Sequence, residues 1–99
     1  MLRRMVLAAL FLSALVGSSA GQVTSCQANL MQFSSLKTGM SYRQVASIIG
    51  CDGSLLSSSD LAGYKSEMFM WEGAGMRGAN MNATFQNGKL LMKAQFGLE

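Results

Sequence analysis

The sequence predicts an α+β domain in which a helix-loop-helix packs on a four-stranded antiparallel sheet, in the order ααββββ and as a single copy of the unit. Three observations lead to this fold class. Apolar residues recur at a helical spacing before the second cysteine, and a strand-like alternation of apolar and polar residues occupies most of the chain after it. An Asn87-Gly88 pair lies at the centre of the last alternating stretch, as in a two-residue β-hairpin turn.

Residues 1–20 have the pattern of a secretory signal peptide. Two arginines precede an apolar run over residues 6–16, and Ser18 and Ala20 occupy the positions that signal peptidase recognises. This run is shorter than the roughly twenty residues that a membrane-spanning helix needs, so an uncleaved anchor is the less favoured alternative. We expect cleavage after Ala20, which leaves residues 21–99 as a single small α+β domain that is periplasmic or secreted.

The charge and the residue inventory exclude several classes of function. The chain has eight basic and five acidic residues, but two of the basic ones belong to the predicted signal peptide, so the domain is nearly neutral and no nucleic-acid partner is indicated. The sequence contains no histidine, which is the usual general base and the commonest metal ligand. Its carboxylates are scattered. We therefore expect no enzymatic activity, no metal and no cofactor.

Two short helices are predicted before the strands. The first covers residues 26–36, where apolar side chains repeat at a spacing of three. The second begins at a capping box formed by Ser41 and Gln44, in which each side chain bonds to the backbone N–H of the other residue. It ends at Gly50, a residue that adopts the left-handed conformation typical of helix ends.

The two cysteines are predicted to form a disulfide. Two short helices joined by a few residues tend to lie antiparallel, which places Cys26 at the start of the first beside Cys51 at the end of the second. An exported chain is exposed to oxidising conditions, in which this bond is stable. An alternative is that Val23-Thr24-Ser25-Cys26 is a lipoprotein box whose cysteine becomes lipidated. The chain would be attached to a membrane only in that case.

The second half of the chain is predicted to contain four strands. The first covers residues 53–60 and is followed by a turn over residues 61–63. A second strand covers residues 64–73 and has apolar residues on both faces of its centre. The glycine-rich segment 73–78 is predicted to be a mobile loop before the last hairpin.

The Asn87-Gly88 turn predicts the register of the last hairpin. It pairs Gln86 with Lys89, and regular pairing continues outward. One face then consists of apolar residues and is expected to cover the helices: Phe85, Leu90, Ala83, Met92, Met81, Ala94, Ala79 and Phe96. The other face is largely polar and is expected to face water: Gln86, Lys89, Thr84, Leu91, Asn82, Lys93, Asn80 and Gln95.

The polar face of this hairpin is the predicted protein-binding surface. Its candidate contact residues are Asn80, Asn82, Thr84, Leu91, Lys93 and Gln95. Phe69 and Trp71 point to the same side of the second strand, so either they or Met68 and Met70 lie beside this face. An exposed Trp71 beside amide and lysine side chains would serve as a binding anchor. The alternatives are that Trp71 is a core residue and that the polar face is an ordinary solvated surface.

The helical motif resembles that of a known family. Phe33-x-x-Leu36-x-x-Gly39-Met40-Ser41-x-x-Gln44-Val45-x-x-Ile48-x-Gly50 is similar to the N-terminal motif shared by the β-lactamase inhibitor protein and the small outer-membrane lipoproteins of the SmpA/OmlA (BamE) group. Trp71-Glu72-Gly73 and Phe85-Gln86-Asn87-Gly88-Lys89-Leu90 extend this resemblance to small exported bacterial proteins of unknown function with an inhibitor-like fold. Together the similarities cover about residues 30–98.

The resemblance implies a fold and a class of function. It implies the same helix-loop-helix on a four-stranded sheet, and a sheet face that binds a protein. The chain has one copy of the unit where the inhibitor has two, and Cys26 lies farther from the apolar run than a lipoprotein cysteine does. We predict a non-catalytic, exported protein-binding module of the bacterial cell envelope, of the outer-membrane assembly or maintenance type. The alternative is an inhibitor of a secreted or periplasmic enzyme that acts through the open sheet face.

Overall fold

The computed structural model describes residues 26–99, and the predicted signal peptide over residues 1–20 lies outside this range. The described part is a single α+β domain with two helices followed by four strands, as predicted. The helices are α1, Leu30–Ser35, and α2, Tyr42–Ile49. Neither of these helices has the length and apolar character needed to cross a membrane.

Capping boxes set the beginning of both helices. At α2, Ser41 Oγ accepts the Gln44 N–H at 3.1 Å and the Gln44 side chain accepts the Ser41 N–H at 2.9 Å, as predicted. Gly50 ends α2 with a φ of 103°, which confirms its predicted left-handed conformation. At α1 the same exchange occurs between Asn29 and Gln32.

The first helix is shorter than predicted. Residues 26–28 are extended, because the Ala28 N–H donates to the carbonyl of Glu72 at 2.8 Å and the Ala28 carbonyl accepts from Ala74. The helix therefore begins only after Asn29. The Cys26–Cys51 disulfide is present as predicted, with the two Cα atoms 6.2 Å apart.

The four strands form one antiparallel sheet in chain order. They are β1, Ser54–Leu61; β2, Tyr64–Glu72; β3, Gly75–Gln86; and β4, Lys89–Leu98. The predicted mobile loop over residues 73–78 is largely incorrect, since β3 begins at Gly75 and pairs there with Leu98. The pairing between β3 and β4 therefore extends to Leu98, the last residue of β4.

A β-bulge at Leu91 makes most of the predicted hairpin register wrong. Gln86 pairs with Lys89 and Phe85 with Leu90, as expected, but Thr84 then pairs with Met92 instead of Leu91. From this point outward every residue of β4 lies on the opposite face from the one predicted.

The core lies between the helices and one face of the sheet. Its buried side chains include Val45 and Ile49 from α2, and Met81 and Phe85 from β3. Trp71 from β2 is 2% exposed, and its indole Nε1–H donates to the carbonyl of Cys51 at 2.9 Å. The described residues bury no polar or charged side chain, so α2 and the sheet are held together by apolar packing and a few hydrogen bonds.

Candidate protein-binding face

The side of the sheet away from the helices is uncovered in the described structure, and we call it the open face. Pairing across β2, β3 and β4 places alternate residues on this side. Eight side chains form its central part: Met68, Met70, Asn80, Asn82, Thr84, Met92, Ala94 and Phe96. All eight are at least partly exposed, whereas Met81, Ala83 and Phe85, which alternate with them on β3, are buried.

The open face mixes neutral polar and apolar groups. Asn82 lies between Met70 on β2 and Ala94 on β4, and Thr84 lies between Met68 and Met92. Met92 and Phe96 are large apolar side chains that remain 59% and 55% exposed. Methionine is flexible and polarisable, so it adapts to differently shaped partner surfaces.

Phe69 and Trp71 do not contribute to this face, contrary to the predicted anchor. Both lie on the helix side of β2, where Tyr42 of α2 packs on them with ring centroids 4.4 Å from Phe69 and 6.1 Å from Trp71. Met68 and Met70 are therefore the pair that lies on the open face, as the alternative prediction had it. Trp71 is a core residue.

Lys93 and Gln95 also lie on the helix side, because the bulge reverses β4. Lys93 pairs with the buried Ala83, and its ammonium donates to two carbonyls at the end of α1. Gln95 pairs with Met81, and its side-chain oxygen accepts the N–H of Leu98 at 3.0 Å. Leu91 is the bulged residue and is 46% exposed.

Of the eight predicted contact residues, the structure thus places three together on the open face: Asn80, Asn82 and Thr84. Sequence analysis missed Met92, Ala94 and Phe96, because in a regular hairpin these apolar residues fall on the core side. One signal was present in the sequence: Leu90 and Leu91 are adjacent apolar residues where strict alternation requires a change of polarity.

A cleft continues the open face at the end near the β2–β3 connection. It has a volume of about 510 Å³, and its lining includes Met70 and Glu72 from β2 together with Met76, Arg77 and Asn80 from β3. The cleft is lined by both apolar and polar groups and has both signs of charge. It can receive one large side chain of a partner, which is how an anchor residue is bound at many protein interfaces.

The centre of the open face carries no charged side chain. The charged groups on this side of the sheet lie at its margins, with Glu72 at one end and Lys89 at the other. A partner of the open face would therefore meet a largely neutral surface.

Lys93, on the helix side, is partly desolvated. Its burial, and to a smaller extent the nearby charge of Lys37, lower the pKa of the Lys93 ammonium below the usual lysine value.

Within residues 26–99, no group of three or more histidine, cysteine or acidic side chains is arranged to hold a metal ion. Both cysteines are in the disulfide. A polar cluster on the helix side joins Tyr42 Oη to Asp52 Oδ1 at 2.9 Å and to the N–H of Gly53 at 3.1 Å. This cluster holds the connection between α2 and β1 in place.

Comparison with known proteins agrees with this architecture. A solved structure of a protein from Streptococcus mutans, provisionally assigned as a beta-lactamase inhibitor protein, matches with a TM-score of 0.66 and 24% identity. The match covers 83% of the present chain and 52% of that protein, so the chain spans about half the length of its structural neighbour. At this level of identity the similarity concerns the fold alone. No curated protein matches.

The family assignment comes from a sequence model. The model of the family described as Beta-lactamase inhibitor (BLIP) matches residues 29–99, which include both helices and all four strands. The resemblance found in the helical motif and in the last hairpin is thereby confirmed for the inhibitor family, while the similarity to the SmpA/OmlA group stays a prediction. The chain therefore belongs to the BLIP family.

Proposed function

We propose that this chain is an exported, non-catalytic protein-binding module whose partner docks on the open face of the sheet. The observation that carries the proposal is the exposure of Met92 and Phe96 beside Asn80, Asn82 and Thr84 on a face that no described residue covers. Interfaces of this kind combine exposed apolar anchors with neutral hydrogen-bonding groups.

The partner class that the family description supports is a β-lactamase or a similar secreted enzyme. The open face would bind such an enzyme as a surface, without contributing catalytic groups of its own. A role in outer-membrane assembly or maintenance is the second proposal, and it would use the same surface with a different partner. The present chain spans about half the length of its structural neighbour. That a single unit is sufficient for inhibition is therefore also part of the proposal.

Export is also part of the proposal. The signal peptide over residues 1–20 and cleavage after Ala20 remain predictions, and the Cys26–Cys51 disulfide supports an oxidising compartment. Because Cys26 is in that bond, its sulfur is not free for lipid attachment. We therefore favour a secreted or periplasmic protein over a lipid-anchored one.

The neutral centre of the open face predicts how binding responds to salt. Association between oppositely charged surfaces slows steeply as ionic strength rises, but a neutral contact is little affected. We expect the association rate with the partner to change less than about threefold between low and physiological salt. A steep dependence would place the contact elsewhere, for example on a charged margin.

The direct test introduces charge on the open face. Asn82→Glu with Met92→Glu places two carboxylates where a partner would bury them unpaired, so affinity should fall by at least about tenfold. The matched control, Ser34→Glu with Ser47→Glu, adds the same charge to the exposed side of the two helices and should leave affinity unchanged. Candidate β-lactamases and proteins captured from periplasmic extract supply the partners, and binding is measured by calorimetry.

The variants also distinguish the two surfaces. If the two helix substitutions abolished binding and the two sheet substitutions did not, the proposal would be contradicted and the partner would bind the helix layer. Inhibition assays with the same enzymes then separate the two partner classes. An enzyme that is inhibited loses hydrolytic activity on binding, whereas binding to an assembly partner involves no such loss.

A further inference from the structure

Within residues 26–99, the strand β1 contacts the rest of the domain along one edge only. It packs against β2, and no other helix or strand of this range makes extensive contact with it. All eight of its residues are exposed. Three of them are leucines, Leu55, Leu56 and Leu61, which retain 54%, 54% and 75% of their accessible surface. A strand with so little burial contributes little to the stability of an isolated domain.

The outer edge of β1 differs from the other edge of the sheet. On β4, the carbonyl of Leu90 accepts from Gly39 at 2.8 Å and the Leu90 N–H donates to Met40 at 2.7 Å, so the helix-helix connection covers that edge at Leu90. No residue in the range 26–99, other than those of β2, forms a backbone hydrogen bond with β1. Its outward N–H and C=O groups can therefore pair with a further strand.

The sequence of β1 offers little protection against such pairing. Edge strands of monomeric proteins commonly carry lysine or proline, which hinder the approach of a second strand. β1 has neither, and Asp60 near one end is its only charge. A bulge between Leu55 and Ser57 is its one irregularity, and the serine run that follows pairs regularly.

We propose that the outer edge of β1 pairs with β1 of a second copy of this chain, antiparallel and about a two-fold axis. The occupant of such an edge must be an extended strand with unpaired backbone groups, and β1 itself meets this requirement. Two-fold pairing is self-complementary, since each copy supplies the same edge. The dimer has one continuous eight-stranded sheet.

The charge of β1 favours the antiparallel arrangement. With the axis in the serine run over residues 57–59, each Asp60 lies opposite a serine or leucine of the other copy. A parallel, in-register pair would bring the two Asp60 carboxylates side by side, which is unfavourable. In the antiparallel pair, the serine side chains near the two-fold axis are small and can be accommodated on both faces of the new sheet.

This pairing has a geometric consequence for the open face. In an antiparallel pair the two-fold axis is perpendicular to the sheet, so the open faces of both copies lie on the same side. The dimer leaves these faces uncovered and doubles their extent. The dimer proposal does not depend on the proposed function, because it concerns the edge of the sheet and requires no other partner.

The first experiment measures the oligomeric state. Sedimentation velocity is performed at micromolar to millimolar concentrations on protein whose N-terminus is established by intact mass. We expect a monomer–dimer equilibrium in the wild type. Leu56→Lys with Ser58→Lys adds two charges to the edge and should weaken dimerisation at least about tenfold. The matched control, Met31→Lys with Ser34→Lys on exposed positions of α1, should dimerise like the wild type.

The second experiment locates the contact by amide hydrogen exchange. Outward amides of β1 should become protected as concentration rises, while those of α2 should not change. A monomer at every concentration, or a dimer that the β1 lysines do not weaken, would overturn the proposal. Protection of β1 in a dilute monomer would also overturn it, since another segment of the same chain would then occupy the edge.

Discussion

The Lys93 ammonium donates a 2.7 Å hydrogen bond to the carbonyl of Phe33 and lies 4.5 Å from the centroid of the Phe33 ring. It also donates to the carbonyl of Leu36 at 3.0 Å. The last carbonyls of a helix have no partner within the helix and carry partial negative charge. The Lys93 ammonium from β4 therefore caps the C-terminal end of α1 and links that helix to the sheet.

Lys93→Met should lower the free energy of unfolding by about 1–3 kcal/mol, because two carbonyls lose a charged donor. The control is Lys89→Met, which removes an exposed lysine from the same strand and should change stability by less than about 0.5 kcal/mol. Urea denaturation measures both. Equal stabilities for the two variants would show that Lys93 does not stabilise the end of α1.

Replacing both cysteines with serine should destabilise the domain by about 3.5 kcal/mol on the chain-entropy model. The bond closes a sequence separation of 25 residues, and its loss frees the unfolded chain. Thermal unfolding under non-reducing conditions measures the change. Thiol labelling of the denatured, unreduced wild type should find no free cysteine, and two reactive thiols in freshly purified protein would contradict the bond.

Intact mass should show a product that begins at Gly21, if export and cleavage after Ala20 occur as predicted. The measurement is made on protein recovered from the periplasm or the medium of a producing bacterium. A diacylglycerol adduct at Cys26 would contradict both the cleavage site and the disulfide. A mass that retains residues 1–20 would show that the apolar segment is not removed.

Trp71→Phe should cost about 2 kcal/mol, since the carbonyl of Cys51 loses its 2.9 Å donor and remains in a partly buried place. As the chain has a single tryptophan, its fluorescence reports on this site alone. The native emission should lie at shorter wavelength than that of the denatured chain and resist quenching by iodide. Efficient quenching of the native protein would mean that the indole is exposed.

Tyr42 should make stability fall in alkaline solution. Burial is the main cause that raises the pKa of the Tyr42 hydroxyl above the usual tyrosine value, and Asp52 adds to it. The unfolded chain therefore releases this proton at lower pH than the folded chain does. The resulting stabilisation is complete below the unfolded pKa and is lost as pH rises through the folded one. Tyr42→Phe is the control: its stability should lack this loss in urea denaturation across pH 9–11, and an identical pH profile would contradict the assignment.

The elements of this fold were predictable because their signals are local. The Ser41–Gln44 capping box, Gly50 and the Asn87-Gly88 turn each specify a conformation within a few residues, and the structure has all three. The antiparallel placement of the helices then sufficed to predict the disulfide between Cys26 and Cys51. The exception is α1, where Ala28 forms a bridge to Gly73, a residue distant in sequence.

The candidate site was predicted less well because it depends on contacts between distant residues. The bulge at Leu91 reverses the faces of β4, and it brings Lys93 beneath the end of α1, where its ammonium has two acceptors. Neither acceptor can be identified from the residues around Lys93. Trp71 was ambiguous in the same way, since its hydrogen-bond partner is the backbone of Cys51.

The Cys26–Cys51 bond encloses both helices and none of the strands. Residues 26–99 thus form a covalent ring that carries a linear tail of four strands. A protease that cuts after Lys37 opens the ring without separating the pieces, and they come apart only on reduction. After a cut at Lys65 or Lys89, no covalent bond joins the two pieces, so they separate on denaturation without reduction. On a non-reducing gel, the fragment pattern therefore distinguishes damage to the helix layer from damage to the sheet.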